Sequence, residues 1–134
     1  KTKTFFHGHS YTANPTACSA AIASMDLMEK KETTESIERI SKSHADFLHK
    51  IKTHKRIKDI RQIGTILAIE LVTDEETSYL NNASEMISNY FMQKGILLRP
   101  LGNVFYVLPP YCISTTDLQR IYSVIESFLE ESAT

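Results

Sequence analysis

The 134-residue sequence predicts an α/β (α+β) fold, a small sheet covered by helices. Three observations carry that prediction. Apolar residues recur at helical spacing in four stretches, β-rich runs separate them, and most changes of period fall at a glycine, proline or asparagine. Hydrophobic residues make up 42% of the chain, enough for a core and too many for a disordered chain. The predicted order is helix, helix, two strands, helix, two strands, helix.

The first helix opens at Asn14-Pro15. Asparagine is a favoured N-cap, and proline costs nothing at the first helical position, where its missing N–H would have no partner. Ala17, Ala20, Ala21, Ile22, Met25 and Met28 carry this helix to about Lys30, and their small side chains predict close packing and burial. Lys31 to Thr34 reads as a short break. From Thr34 a second helix puts Ile37, Ile40, His44, Phe47, Leu48 and Ile51 on one stripe. It ends near His54, where basic residues suit the negative end of the helix dipole. His44 lies on the stripe and is expected to be packed, not a ligand.

Ile57 to Val72 changes period. Its β-formers predict two strands around Gly64, with the glycine marking a bulge or bend. Thr73 to Ser78 is polar and acidic, a surface loop. A third helix runs from about Asn82 to Lys94 and stops at Gly95. Ile96 to Arg99 and Val104 to Leu108 predict two short strands joined by the turn Pro100-Leu101-Gly102-Asn103. Ser114-Thr115-Thr116-Asp117 resembles a capping box, and Leu118, Ile121, Ile125, Phe128 and Leu129 define the last helix.

Several function classes lose support on composition. With 15 Lys+Arg against 16 Asp+Glu, nothing global favours nucleic acid or an anionic membrane as partner. No apolar run approaches the roughly 20 residues needed to cross a bilayer, and the opening residues carry no signal-peptide pattern. The first residue is Lys1, so the natural start is expected upstream or removed by processing. Cys18 and Cys112 stand far apart among apolar neighbours and are expected to be buried free thiols, which suits a reducing, cytoplasmic setting. His7-Gly8-His9 could begin a metal site, but no cysteine or carboxylate lies close by, so no metal is expected. Asn82-Ala83-Ser84 matches the glycosylation triplet, a frequent accident. Glycine-rich phosphate loops, nucleophile elbows and zinc-protease motifs are absent from the sequence.

Two segments are unusual for a purely structural role. Phe6 to Pro15 gathers polar and aromatic residues ahead of a helix; it is either an ordinary helix entry or a place where a hydroxyl and free N–H groups hold a phosphate. Arg99, at the end of an apolar run and ahead of a tight turn, either snorkels from a sheet edge or grips a carboxylate through two parallel hydrogen bonds.

These same residues carry a resemblance. His7-Gly8-His9-Ser10-Tyr11 through Asn14-Pro15-Thr16-Ala17-Cys18-Ser19-Ala20-Ala21 resembles the segment that follows the catalytic lysine in class III aminotransferases. Arg61-Gln62-Ile63-Gly64 to Glu70-Leu71 resembles that family's glycine-centred strand pair. The run from Gly95 to Asn103, with Tyr106 and Pro109-Pro110-Tyr111, is similar to members that aminate 8-amino-7-oxononanoate in biotin synthesis, with S-adenosylmethionine as amino donor. The three motifs occur in the family's order and span essentially the whole chain.

The resemblance implies a mostly antiparallel sheet, with residues 1–14 belonging to the large cofactor domain and 15–134 forming the C-terminal small domain. It implies pyridoxal 5′-phosphate as cofactor, held by a lysine upstream of this chain; Lys1 and Lys3 do not match its position. The fragment alone is therefore expected to be inactive. Ser10 is expected to reach the cofactor phosphate of the partner subunit in a homodimer. Arg99 is expected to bind the carboxylate of the oxo acid, with Tyr106 near the substrate. Two alternatives stand beside this reading, a class III ω-aminotransferase acting on ornithine or an ω-amino acid, and a stand-alone binding or oligomerisation module.

Overall fold

A computed structural model describes residues 7–10, 12–73 and 82–131. The chain forms two compact units, Lys1–Thr34 and Glu35–Thr134.

In the first unit, helix α1 spans Pro15–Met28. The Asn14 side chain accepts from the Ala17 N–H at 3.1 Å, and Pro15 takes the first helical position, as the sequence predicts. No residue of α1 is buried, which corrects the expectation of a buried helix: Ile22 and Met25 are 61% and 63% exposed. Small side chains permit close approach but do not supply a neighbour. Cys18 is exposed for the same reason.

Helix α2 spans Lys31–Ile51 and begins earlier than the sequence suggests. The expected break shrinks to Glu29-Lys30, because Glu32 suits the positive end of the helix dipole and the Thr33 hydroxyl donates to the Leu27 carbonyl at 2.6 Å.

In the second unit, β1 (Ile57–Ile63), β2 (Ile66–Leu71) and β3 (Val104–Val107) form an antiparallel sheet in the order β1-β2-β3. Gly64 is the hairpin turn itself, not a bulge. Its φ of 52° with no positive φ at Thr65 fits a two-residue turn with glycine first. Helix α3 spans Ala83–Gln93 and α4 spans Thr115–Glu131. Ser114 Oγ accepts from the Asp117 N–H at 3.0 Å and bonds its carboxylate at 2.6 Å, a capping arrangement.

Strand alternation sends Leu67, Ile69 and Leu71 of β2 and Phe105 and Val107 of β3 into the core. There they meet Ile40 of α2, Ile87 and Phe91 of α3, and Leu118, Ile125 and Phe128 of α4, all fully buried. Arg56 fastens the end of α4, donating to the Phe128 carbonyl at 2.6 Å while lying over its ring. Burial lowers the Arg56 pKa from its ordinary value.

Two expectations fail here. Ile96 to Arg99 is not a strand: among the described residues it makes no ladder, and the isolated bridge Leu101–Val104 lies beyond its end. Pro100 withholds the N–H that would continue pairing, and the Ile96 N–H is spent on the Phe91 carbonyl at 2.9 Å. Cys112 is exposed, because the turn after Pro110 lies outside the core. The expected Thr73–Ser78 loop falls almost wholly outside the described residues.

Candidate substrate- and cofactor-binding site

Ser10 belongs to the first unit, and Arg99 and Tyr106 to the second. Ser10 sits in an exposed turn closed by the turn's own bonds. The Thr12 N–H donates to the His9 carbonyl at 2.9 Å, and the His9 N–H donates to Thr12 Oγ1 at 3.1 Å. Among the described residues the Ser10 hydroxyl makes no hydrogen bond, so it can donate to an anionic oxygen. His7 and His9 lie edge to face with centroids 5.1 Å apart. Among the described residues no group of three His, Cys, Asp or Glu side chains could hold a metal ion.

Arg99 is exposed and makes no hydrogen bond or ion pair among the described residues. Pro100 keeps the residue before it out of the helical region, which narrows where the guanidinium can reach. Arg99 and Tyr106 stand two residues from the Leu101–Val104 bridge, one on each arm of the turn that it closes.

Tyr106 alternates with buried Phe105 and Val107 and therefore faces away from the core. Across the sheet its register partner is Ala68, whose own partner is Arg61. The small alanine leaves a concavity of about 270 Å³ bordered by Arg61, Ile63 and Ile66. Arg61 is held there by Asp59 at 3.0 Å and by Glu70 at 3.6 Å; Glu70 also meets Lys58 at 2.9 Å. A second, apolar cleft of about 320 Å³ lies between Gly95–Leu98 and Val107–Pro110 and is lined by neither Arg99 nor Tyr106.

Sequence reasoning did not single out Asn103. It is fully buried, and its side-chain amide donates to the Leu71 carbonyl at 2.8 Å. The turn residues Gly102-Asn103 were visible in the sequence; that the asparagine side chain turns inward was not.

Residues 1–129 match the profile of the family described as aminotransferase class-III. Three curated proteins, each an adenosylmethionine-8-amino-7-oxononanoate aminotransferase, are similar to this chain. That from Synechococcus elongatus is 42% identical over 128 residues, which are 96% of this chain and 30% of the relative. Those from Nitratidesulfovibrio vulgaris and Methanocaldococcus jannaschii are 35% and 36% identical, covering 23% and 27% of the relatives. The chain thus spans less than a third of the length of the curated relatives it matches. The crystal structure of the Methanocaldococcus jannaschii aminotransferase superposes with a TM-score of 0.77 at 33% identity, over 94% of this chain and 31% of that one. A PMP-bound aminotransferase from Vibrio fluvialis reaches 0.82 at 24% identity over 96% of this chain and 29% of that one, a likeness of fold.

Proposed function

Because the chain belongs to the class III aminotransferase family, we propose that its full polypeptide transfers an amino group from S-adenosylmethionine to 8-amino-7-oxononanoate, giving 7,8-diaminononanoate. Residues 15–134 would be the C-terminal small domain and residues 1–14 part of the cofactor domain, in a cytoplasmic homodimer. The observation that carries the reading is Arg99, an exposed guanidinium without a partner among the described residues. A planar fork of donors is the group best suited to a carboxylate, and the oxo acid carries one at the end of its chain.

Bound pyridoxal 5′-phosphate would supply the electron sink for amino transfer. This chain's residues bind and orient. The Ser10 hydroxyl, with no competing partner among the described residues, donates to a phosphate oxygen of the partner subunit's cofactor. Arg99 fixes the carboxylate end of the oxo acid, so that the carbonyl to be aminated is presented at a set distance. Tyr106, facing away from the core, borders the substrate. The covalent lysine is assigned upstream of this chain, and the fragment alone is assigned no activity.

Arg99→Ala in the full-length enzyme tests this. Losing hydrogen bonds to a charged group costs about 1.5–3 kcal/mol, roughly ten- to hundred-fold in oxo acid affinity, with cofactor affinity unchanged. Equal loss of both, or of neither, removes Arg99 from the carboxylate site. Failure to transfer from S-adenosylmethionine would instead favour an ornithine or ω-amino acid donor.

A further inference from the structure

The turn that presents Arg99 has few fasteners. Leu97 to Pro100 make no backbone hydrogen bond among the described residues. On the N-terminal side the nearest tie is the Ile96 N–H to the Phe91 carbonyl at 2.9 Å. On the C-terminal side, Leu101 and Val104 exchange two backbone bonds, at 2.7 and 3.1 Å, around Gly102-Asn103. Gly102 takes a φ of 63°, which a two-residue turn requires at its first position.

Beyond Val104, which opens β3 opposite Glu70, that turn is fixed to the sheet through Asn103. The Asn103 side-chain amide donates to the Leu71 carbonyl at 2.8 Å, while the Leu71 N–H donates to the Asn103 carbonyl at 3.0 Å. The two bonds form a reciprocal staple between the turn and the end of β2. Asn103 is fully buried, and removing its amide takes from the Leu71 carbonyl the donor that pairs it.

We propose that Asn103 is a positioning residue for Arg99, acting through the turn it staples to β2. The proposal rests on the reading of Arg99 as the carboxylate group. The mechanical path is short: the Asn103 staple, the Leu101–Val104 bridge, then Pro100, whose ring limits the conformation of Arg99. Loosening the staple lets the guanidinium wander relative to the sheet. Misplacement on the order of 1 Å can cost up to about a hundred-fold in an oriented reaction.

The test is made in the full-length holoenzyme with the oxo acid and its methyl ester, which lacks the charge. Asn103→Ala is expected to raise KM for the acid by about ten-fold. It should leave KM for the ester and the cofactor affinity within about two-fold. Asn103→Leu, close to asparagine in size and lacking the amide donor without adding a charge to this fully buried site, carries the same expectation should Asn103→Ala not fold. A purely structural asparagine would raise KM for acid and ester alike, and that result, or no change in either, overturns the proposal. Arg99→Ala separates the two ideas. If it does not discriminate acid from ester, the carboxylate reading itself fails; if it does and the Asn103 variants do not, only the positioning role is lost.

Discussion

Nδ1 of His44 lies 2.7 Å from the Tyr122 hydroxyl, while its Nε2 lies 3.0 Å from the Thr65 carbonyl oxygen. A carbonyl only accepts, so Nε2 carries the proton and Nδ1 accepts from the tyrosine O–H. One neutral imidazole thereby ties α2 to α4 and to the β1–β2 turn. Gln62 reinforces the tie, its amide donating to the Ser41 carbonyl at 2.7 Å and to the Gly64 carbonyl at 2.9 Å. Burial raises the Tyr122 pKa, with the Asp46 carboxylate adding to it, so the phenol keeps its proton.

This arrangement predicts an acid-sensitive fold. Burial lowers the His44 pKa below 6.5, against an upward pull from the Thr65 carbonyl. In the unfolded chain histidine titrates near 6.5, so below that pH the unfolded state binds more protons than the folded one. The contribution is complete above about pH 6.5 and is lost as pH falls through the folded value, at up to ~1.4 kcal/mol per unit. Urea midpoints measured below pH 6.5 should therefore fall more steeply for the native protein than for His44→Phe. Parallel slopes would assign the acid loss to carboxylates.

Much of this was legible in the sequence, and the gaps have physical causes. The Asn14-Pro15 start, the Ile40-His44-Phe47-Ile51 stripe, the Gly64 hairpin and the Ser114 cap each depend on a few neighbouring residues, and each was readable. His44 was rightly expected to be packed, though its two partners come from α4 and a turn, beyond the reach of local pattern. The Ile96–Arg99 strand failed because β-rich composition says nothing about a partner, and Pro100 denies one hydrogen bond. Cys18 and Cys112 failed similarly, since apolar neighbours in sequence do not ensure neighbours in space. At the site, Arg99 was visible as chemistry. Asn103 was not, because a turn asparagine and a buried staple have the same letters.

Alternation along β3 yields a prediction that separates core from site. Phe105 is fully buried, with its ring centroid 5.5 Å from that of Phe91 and 6.1 Å from that of Phe128. Phe105→Ala should cost about 3–5 kcal/mol of stability, because the three rings cannot close the cavity. Tyr106→Ala, on the opposite face and half-buried, should cost under roughly 1.5 kcal/mol while weakening substrate binding. Equal destabilisation by the two substitutions in thermal unfolding would show that β3 does not alternate as described.

Ser10 offers a test of the phosphate assignment with little structural disturbance. Its turn is closed by bonds between His9 and Thr12, none of which involves the serine side chain. Ser10→Ala should therefore remove a hydroxyl and leave the turn standing. A hydrogen bond to a charged oxygen is worth about 1.5–3 kcal/mol, so cofactor affinity should fall roughly ten- to hundred-fold. Ser10→Thr keeps the donor and stiffens its rotamer, so it should retain affinity or raise it slightly. The measurement is cofactor dissociation from the full-length enzyme, followed by absorbance during dialysis. If the alanine and threonine variants release cofactor at the native rate, the phosphate is held by other groups. If both release it equally fast, the turn matters through its shape and not through the hydroxyl.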